Sequence, residues 1–215
     1  MGEELLHLVE VGRLHPGPGK FRSLHHGHGG RRPALQGTGQ RLMGPYAVRR
    51  ATAGEVSHWR AVRLAMLLDA PRAFSSTYAG TVGRSDDDLV ARLETTWTWL
   101  AWEGDRPVGS VGMGTFEHLE AEDAALIGMW VAPPARGRGL GDLLVGTVLT
   151  EAAAQGFSRV VLDVAQENAA ARALYDRHGF IATGRTWRHP EDGGIDEVEM
   201  ARPVGRAHLP PASRE

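Results

Sequence analysis

The chain of 215 residues contains no cysteine. Disulfides, thiolate nucleophiles and cysteine-based metal sites are thereby excluded. Lysine is nearly absent too, Lys20 being the single lysine among 24 basic residues. A phosphate-binding P-loop ends in Gly-Lys-Ser/Thr, so it has no candidate beyond residue 20. No run of apolar residues approaches the ~20 needed to span a bilayer, and the start of the chain lacks the charged-then-apolar order of a signal peptide. Met1-Gly2 is followed by Glu-Glu-Leu-Leu, without the hydroxyl residue of a myristoylation signal. A net charge of −2 supplies no electrostatic basis for dedicated nucleic-acid or membrane binding. These absences leave a cytoplasmic location as the expectation.

Breakers, by contrast, are plentiful at the start of the chain. The runs Leu14-His-Pro-Gly-Pro-Gly-Lys20 and His25-His-Gly-His-Gly-Gly-Arg-Arg-Pro33 carry few periodic apolar positions. Residues 1–44 are expected to be a disordered tail, or to lie ahead of a translation start at Met43. His25, His26 and His28 read as part of such a tail rather than as metal ligands, which need fixed geometry and outer partners. One domain is expected over 45–204, with a second tail over 205–215.

Within that domain the pattern becomes regular. Tyr46–Arg50 reads as a strand, and Thr52-Ala-Gly-Glu55 has the capping-box spacing that opens a helix running to about Leu68. Ser85-Asp-Asp-Asp88 opens another helix, after a loop with one short turn. A hairpin follows, Trp97–Trp102 and Val108–Phe116 around Glu103-Gly-Asp-Arg106. Leu126–Val131 is an apolar run suited to a central strand, and Leu140–Gln155 is an amphipathic helix ending at Gly156. Strand Val160–Val164, helix Ala169–His178 and two last strands, Phe180–Trp187 and Glu197–Arg202, complete an α/β order.

The chemistry-bearing segment is Arg136-Gly-Arg-Gly-Leu-Gly141, set between a strand and a helix. Glycines permit close approach and positive φ, and the first amides of the helix are unpaired and sit at the positive end of its dipole. The pair is an anion site suited to a diphosphate. A dinucleotide-binding turn is a poor alternative, because Leu144 stands where a third glycine belongs and Pro133-Pro134 lengthen the turn.

Arg136-x-x-Gly139-x-Gly141 resembles the Gln/Arg-x-x-Gly-x-Gly/Ala signature of the GNAT superfamily of acetyl-CoA-dependent N-acetyltransferases. Met129-Trp-Val-Ala-Pro133 looks like the end of that family's fourth strand, and Asn168-x-x-Ala171-x-x-Leu174-Tyr175-x-x-x-Gly179-Phe180 is similar to its Asn…Leu-Tyr…Gly-Phe segment. The motif match covers about 126–184 and the element order extends it to about 46–202. The resemblance implies a mixed, mostly antiparallel sheet with splayed fourth and fifth strands, flanked by helices. It implies acetyl-CoA as cosubstrate, no metal, and direct transfer to a primary amine of a small molecule or peptide. A homodimer is compatible with it, since many members of the family pair.

By position, the resemblance assigns the pyrophosphate to the amides of Arg136, Gly137, Arg138, Gly139, Leu140, Gly141, Asp142 and Leu143. It assigns pantetheine to backbone groups of Met129, Trp130 and Val131 and to Asn168, the thioester oxygen to the Met129 amide, and the departing thiolate to the Tyr175 hydroxyl. Each position also has a structural reading: Arg136 and Arg138 as surface charges, Asn168 as a helix cap, Tyr175 as a core residue. No general base stands out. Glu120, Glu122, Asp123 and Glu199 are candidates whose simplest reading is solvated acids, and Trp97, Trp99 and Trp102 read as core more readily than as an acceptor pocket. A non-catalytic CoA-binding module of the same fold is the alternative function.

Overall fold

The computed structural model describes residues 41–188 and 196–205. Eight strands form one sheet: β1 Arg41–Met43, β2 Tyr46–Arg50, β3 Trp97–Glu103, β4 Arg106–Gly114, β5 Asp123–Val131, β6 Arg159–Ala165, β7 Ile181–Arg188 and β8 Asp196–Pro203, in the spatial order β1-β2-β3-β4-β5-β6-β8-β7. Every neighbouring pair is antiparallel except β5 and β6. The helices are α1 Val56–Asp69, α2 Tyr78–Val82, α3 Asp86–Thr95, α4 Leu140–Ala154 and α5 Ala169–Arg177.

Local chemistry explains where the helices begin. The Glu55 carboxylate accepts from the Thr52 amide at 3.0 Å, which opens a 3₁₀ turn running into α1. The Ser85 hydroxyl accepts from the Asp88 amide at 3.1 Å while Asp88 accepts from the Ser85 amide at 3.2 Å, a reciprocal box ahead of α3. Alternation along β3 sends side chains to opposite faces. Trp99 and Ala101 join the core under α4 and α5, while Leu100 and Trp102 pack under α1 and α3. Trp97 and Trp99 are buried, so the tryptophans build core, as their alternation suggested.

Three differences from the sequence reading concern how the elements are joined. Arg41–Met43, expected in the tail, pair with β2 through a turn at Gly44 (φ +55). The expected loop before α3 contains α2, capped by the Thr77 hydroxyl, which accepts from Gly80 N at 3.1 Å. β5 begins three residues early, because Asp123 pairs in register with Arg159. Residues 25–28 and the remainder of the expected tails, 1–40 and 206–215, lie outside the described residues. No described helix is long and apolar enough to cross a membrane.

Candidate active site

The sheet splits where the sequence motifs converge. β5 and β6 keep register only over Asp123–Ala125 and Arg159–Val161; beyond those residues the two strands have no paired positions. On its other edge β5 stays joined to β4. Trp130 lies opposite Ser110, and the Ala132 amide donates to the Val108 carbonyl at 2.8 Å. Alternation therefore turns the backbone groups of Met129 and Val131 toward the split. A bulge reinforces the divergence: Gly128 and Met129 together oppose Val111, Gly128 takes φ +56, and the Ser110 hydroxyl donates to its carbonyl at 2.9 Å.

The glycine loop leads from the split to α4. Gly139 is the N-cap of α4 at φ +78 and has no side-chain cap, and Gly137 also has positive φ. The helical ladder starts with the Leu143 amide donating to the Gly139 carbonyl at 3.2 Å, so the amides of Leu140, Gly141 and Asp142 precede it. A β-carbon at Gly141 would stand 3.1 Å from Leu174 of α5, which makes glycine the residue that lets the two helices meet there.

The arginines are not free surface charges. The Arg136 guanidinium pairs with Asp69 at the end of α1, and its Nε donates to the Val131 carbonyl at 2.9 Å. That carbonyl is therefore engaged, while the same Asp69 carboxylate also accepts the Trp130 indole N–H at 2.9 Å. Arg138 donates to the Tyr46 hydroxyl at 3.2 Å and remains largely exposed. The Asp142 carboxylate is held by Arg177 at 2.7 and 2.9 Å and lies 2.9 Å from His178 Nε2; the Arg177 contact first, then His178, keeps its pKa below the usual range. Asn168 caps α5, its Oδ1 accepting from Ala171 N at 3.0 Å. Leu140 is buried and Leu143 packs against the same core.

Tyr175 is fully buried, edge-on to Phe180 with ring centroids 5.7 Å apart. Its hydroxyl has no hydrogen-bond partner, and burial pushes its pKa up, so the phenol holds its proton at neutral pH. An unsatisfied buried hydroxyl costs about 1–3 kcal/mol. An orphaned donor on α5, the helix whose Leu174 packs against Gly141, is the kind of group that a bound ligand would satisfy.

Two of the four candidate acids are not solvated, contrary to the simplest reading of the sequence. Asp123 is buried and accepts from Arg159 at 3.0 and 2.5 Å. Glu199 is only 3% exposed and accepts the Thr183 hydroxyl at 2.7 Å. Glu120 and Glu122 are exposed on the β4–β5 loop. Beside Glu199 lie two acids that sequence reasoning did not nominate. Asp163 stands directly opposite it in register, and Glu197 is two residues along β8 on the same face. Desolvation pushes the Asp163 carboxyl to about 8, with Glu197 and Glu199 adding to the rise and the Trp187 indole N–H (3.1 Å) opposing it; desolvation takes Glu197 to about 7. A signal was present for Asp163, a single acid interrupting the apolar run Val160-Val-Leu-Asp-Val164, whereas Glu197 follows Asp196 at the start of its strand and interrupts no such run. Among the described residues no three metal-ligating side chains are grouped closely enough to hold an ion.

Comparison with known proteins agrees with this geometry. Residues 65–180 match the model of the Acetyltransferase (GNAT) family. The chain is similar to human N-acetyltransferase 8B, 36% identical over 93 residues, covering 42% of this chain and 41% of that protein. It is also similar to the mycothiol acetyltransferase of Geodermatophilus obscurus, 36% identical over 113 residues, covering 47% of this chain and 36% of that one. The chain thus spans about two fifths of the length of the curated relatives it matches. Among solved structures, yncA of Salmonella typhimurium, determined with its cofactor acetyl-CoA, shares the fold at TM-score 0.62 and 18% identity, covering 78% of this chain and 99% of that one. A GNAT acetyltransferase from Streptococcus pneumoniae superposes with TM-score 0.62 at 23% identity, covering 74% and 99%. With the family model matching over half its length, the chain belongs to the GNAT family of acetyltransferases.

Proposed function

We propose that the protein is an N-acetyltransferase that moves an acetyl group from acetyl-CoA directly to a primary amine. The observation that carries the reading is the split between β5 and β6, opening beside the uncapped N-terminus of α4. When bound, acetyl-CoA supplies the thioester carbonyl and the thiolate leaving group. The chain's own groups have these roles. The amides of Leu140, Gly141 and Asp142 receive the diphosphate, with the helix dipole behind them. The Val131 amide and the Met129 backbone pair with the pantetheine arm as an added strand would. The Met129 amide donates to the carbonyl oxygen, a contact whose loss costs about 10²–10³-fold in rate in known enzymes. Asn168 has its Oδ1 committed to α5 and offers its side-chain N–H groups. Tyr175, held neutral by burial, gives its proton to sulfur. No cysteine is available for an acyl-enzyme, which favours a ternary complex.

The test has two parts. Acetyl-CoA at about 100 times its Kd should stabilise the chain by about 2.7 kcal/mol, read as a rise in Tm. Tyr175→Phe should slow CoA release by about 100-fold and leave that rise intact. Absence of any thermal shift removes the cosubstrate assignment. A shift without CoA release across a broad amine panel favours the non-catalytic module.

A further inference from the structure

We propose that the cleft between the β4–β5 loop and β7 receives the acceptor as an alkylammonium ion, and that Glu199 takes its proton. The inference rests on the acetyl-transfer reading and adds to it the acceptor class and the base.

The cleft is made by an irregularity in β7. Its register with β8 jumps from Ala182↔Met200 to Thr186↔Val198, so Thr183, Gly184 and Arg185 stand against Glu199 alone. Gly184 takes φ +87 in this excursion, and the Thr183 hydroxyl turns back to Glu199. The space left is about 570 Å³, with Gly184–Trp187 and Glu199 on one side and His118 and Leu119 on the other. Glu199 is thus both buried in the sheet and a lining group of an open cleft.

The position relative to the split is set by register. Asp163, opposite Glu199, lies two residues beyond Val161, the last residue of β6 paired with β5. Asp163 therefore sits on the stretch of β6 that borders the gap into which the Met129 and Val131 backbone groups turn, with Glu199 one strand further. An amine seated among them would lie at the edge of the site where the acetyl group is delivered.

Among the described residues the cluster holds more acids than cations. Asp163 has an indole N–H as its partner, Glu199 a hydroxyl, and Glu197, at 9% exposure, has no side-chain hydrogen bond or ion pair among the described residues. The nearest cation is Arg185, whose Nη1 is 3.8 Å from Glu199 and whose side chain is 64% exposed at the rim. Buried carboxyls without positive partners are costly when ionised. A ligand ammonium neutralises them, and a carboxylate carried beside the amine is repelled. The step is a proton transfer: an N–H bond of the ammonium breaks, an O–H bond forms on Glu199, the nitrogen keeps the lone pair, and the proton then leaves to water.

The experiment follows CoA release by the full chain with pentylamine, 1,5-diaminopentane and 6-aminohexanoate, with the acetyl-CoA thermal shift measured in parallel. Both amines without a carboxylate should exceed 6-aminohexanoate at least tenfold in kcat/KM. Glu199→Gln, which keeps size and an acceptor for Thr183, should lower kcat/KM for pentylamine by about 100-fold with the thermal shift unchanged. Its pH profile is a second readout. Wild-type kcat/KM holds a plateau up to the pKa of the amine, whereas the variant climbs about tenfold per pH unit to pH 9, because only neutral amine then reacts. The titratable and charged groups facing Glu199 among the described residues are Asp163 and Arg159 from β6, Glu197 from β8, Arg185 from β7 and His118 from the loop. Thr183→Val, which leaves the carboxylate in place, should give a smaller loss and keep the plateau. A Glu199→Gln rate within threefold of wild type, or equal use of 6-aminohexanoate, overturns the inference. So does silence toward all three amines from protein that acetyl-CoA stabilises; silence together with no thermal shift sinks the acetyl-transfer reading itself.

Discussion

Asp163 meets a single indole N–H, at 3.1 Å, in a site that pushes its carboxyl to about 8. In the unfolded chain the same group titrates near ~3.9. Between those values the folded state holds a proton that the unfolded state releases. The stability this represents is complete below about pH 4 and is lost as pH rises through about 8. Asp163→Asn, which keeps the neutral form, should raise Tm more at pH 8 than at pH 5 and flatten the slope between them. Equal shifts at both pH values count against the raised pKa. At this scale motif spacing in the sequence nominated Asn168 and Tyr175, and among the described residues each keeps an unspent group, the Asn168 N–H donors and the Tyr175 hydroxyl. It could not distinguish a buried Glu199 from a solvated one, because burial there comes from Thr183 and Arg185 on another strand.

At the scale of elements, one carboxylate ties three segments together. Asp69, the last residue of α1, accepts from Trp130 of β5 and from Arg136 at the start of the glycine loop, while Arg136 holds the Val131 carbonyl. The site is largely screened from water, since the Arg136 and Asp69 side chains are 12% and 16% exposed. Asp69→Ala leaves a mostly buried guanidinium without its counter-charge and should cost about 2–4 kcal/mol, read as a lower urea midpoint. It should also weaken acetyl-CoA binding at constant enzyme fold, because the loop that carries Gly137 and Gly139 loses its anchor. Unchanged affinity in a folded variant would mean that the glycine conformations alone set the loop. The helix starts were readable in sequence because Thr52/Glu55 and Ser85/Asp88 act within one turn. The Arg136–Asp69 pair was not, since its members are 67 residues apart and meet only when α1 packs on β5.

For the whole molecule, the first described strand lies at the edge of the described sheet and also reaches the glycine loop. β1 pairs with β2, Arg41 Nη2 donates to Thr150 Oγ1 of α4 at 2.7 Å, and the Met43 side chain lies 3.4 Å from where a β-carbon on Gly139 would stand. A chain starting at Gly44 loses this cover. It should be less stable by about 1–2 kcal/mol from Met43 burial alone, with a lower Tm and weaker acetyl-CoA binding. An unchanged Tm would show that β1 adds nothing to the sheet. Taken by itself, the sequence determined the order of strands and helices from β2 onward apart from α2, the glycine turn before α4 and the family resemblance, because periodicity, caps and turn residues act over a few positions. The split between β5 and β6 was implied by the family resemblance, and the tertiary structure decided where those strands part, the β7 excursion and the face on which three acids gather. Each of these depends on register and burial between strands distant in the chain, which no local pattern encodes.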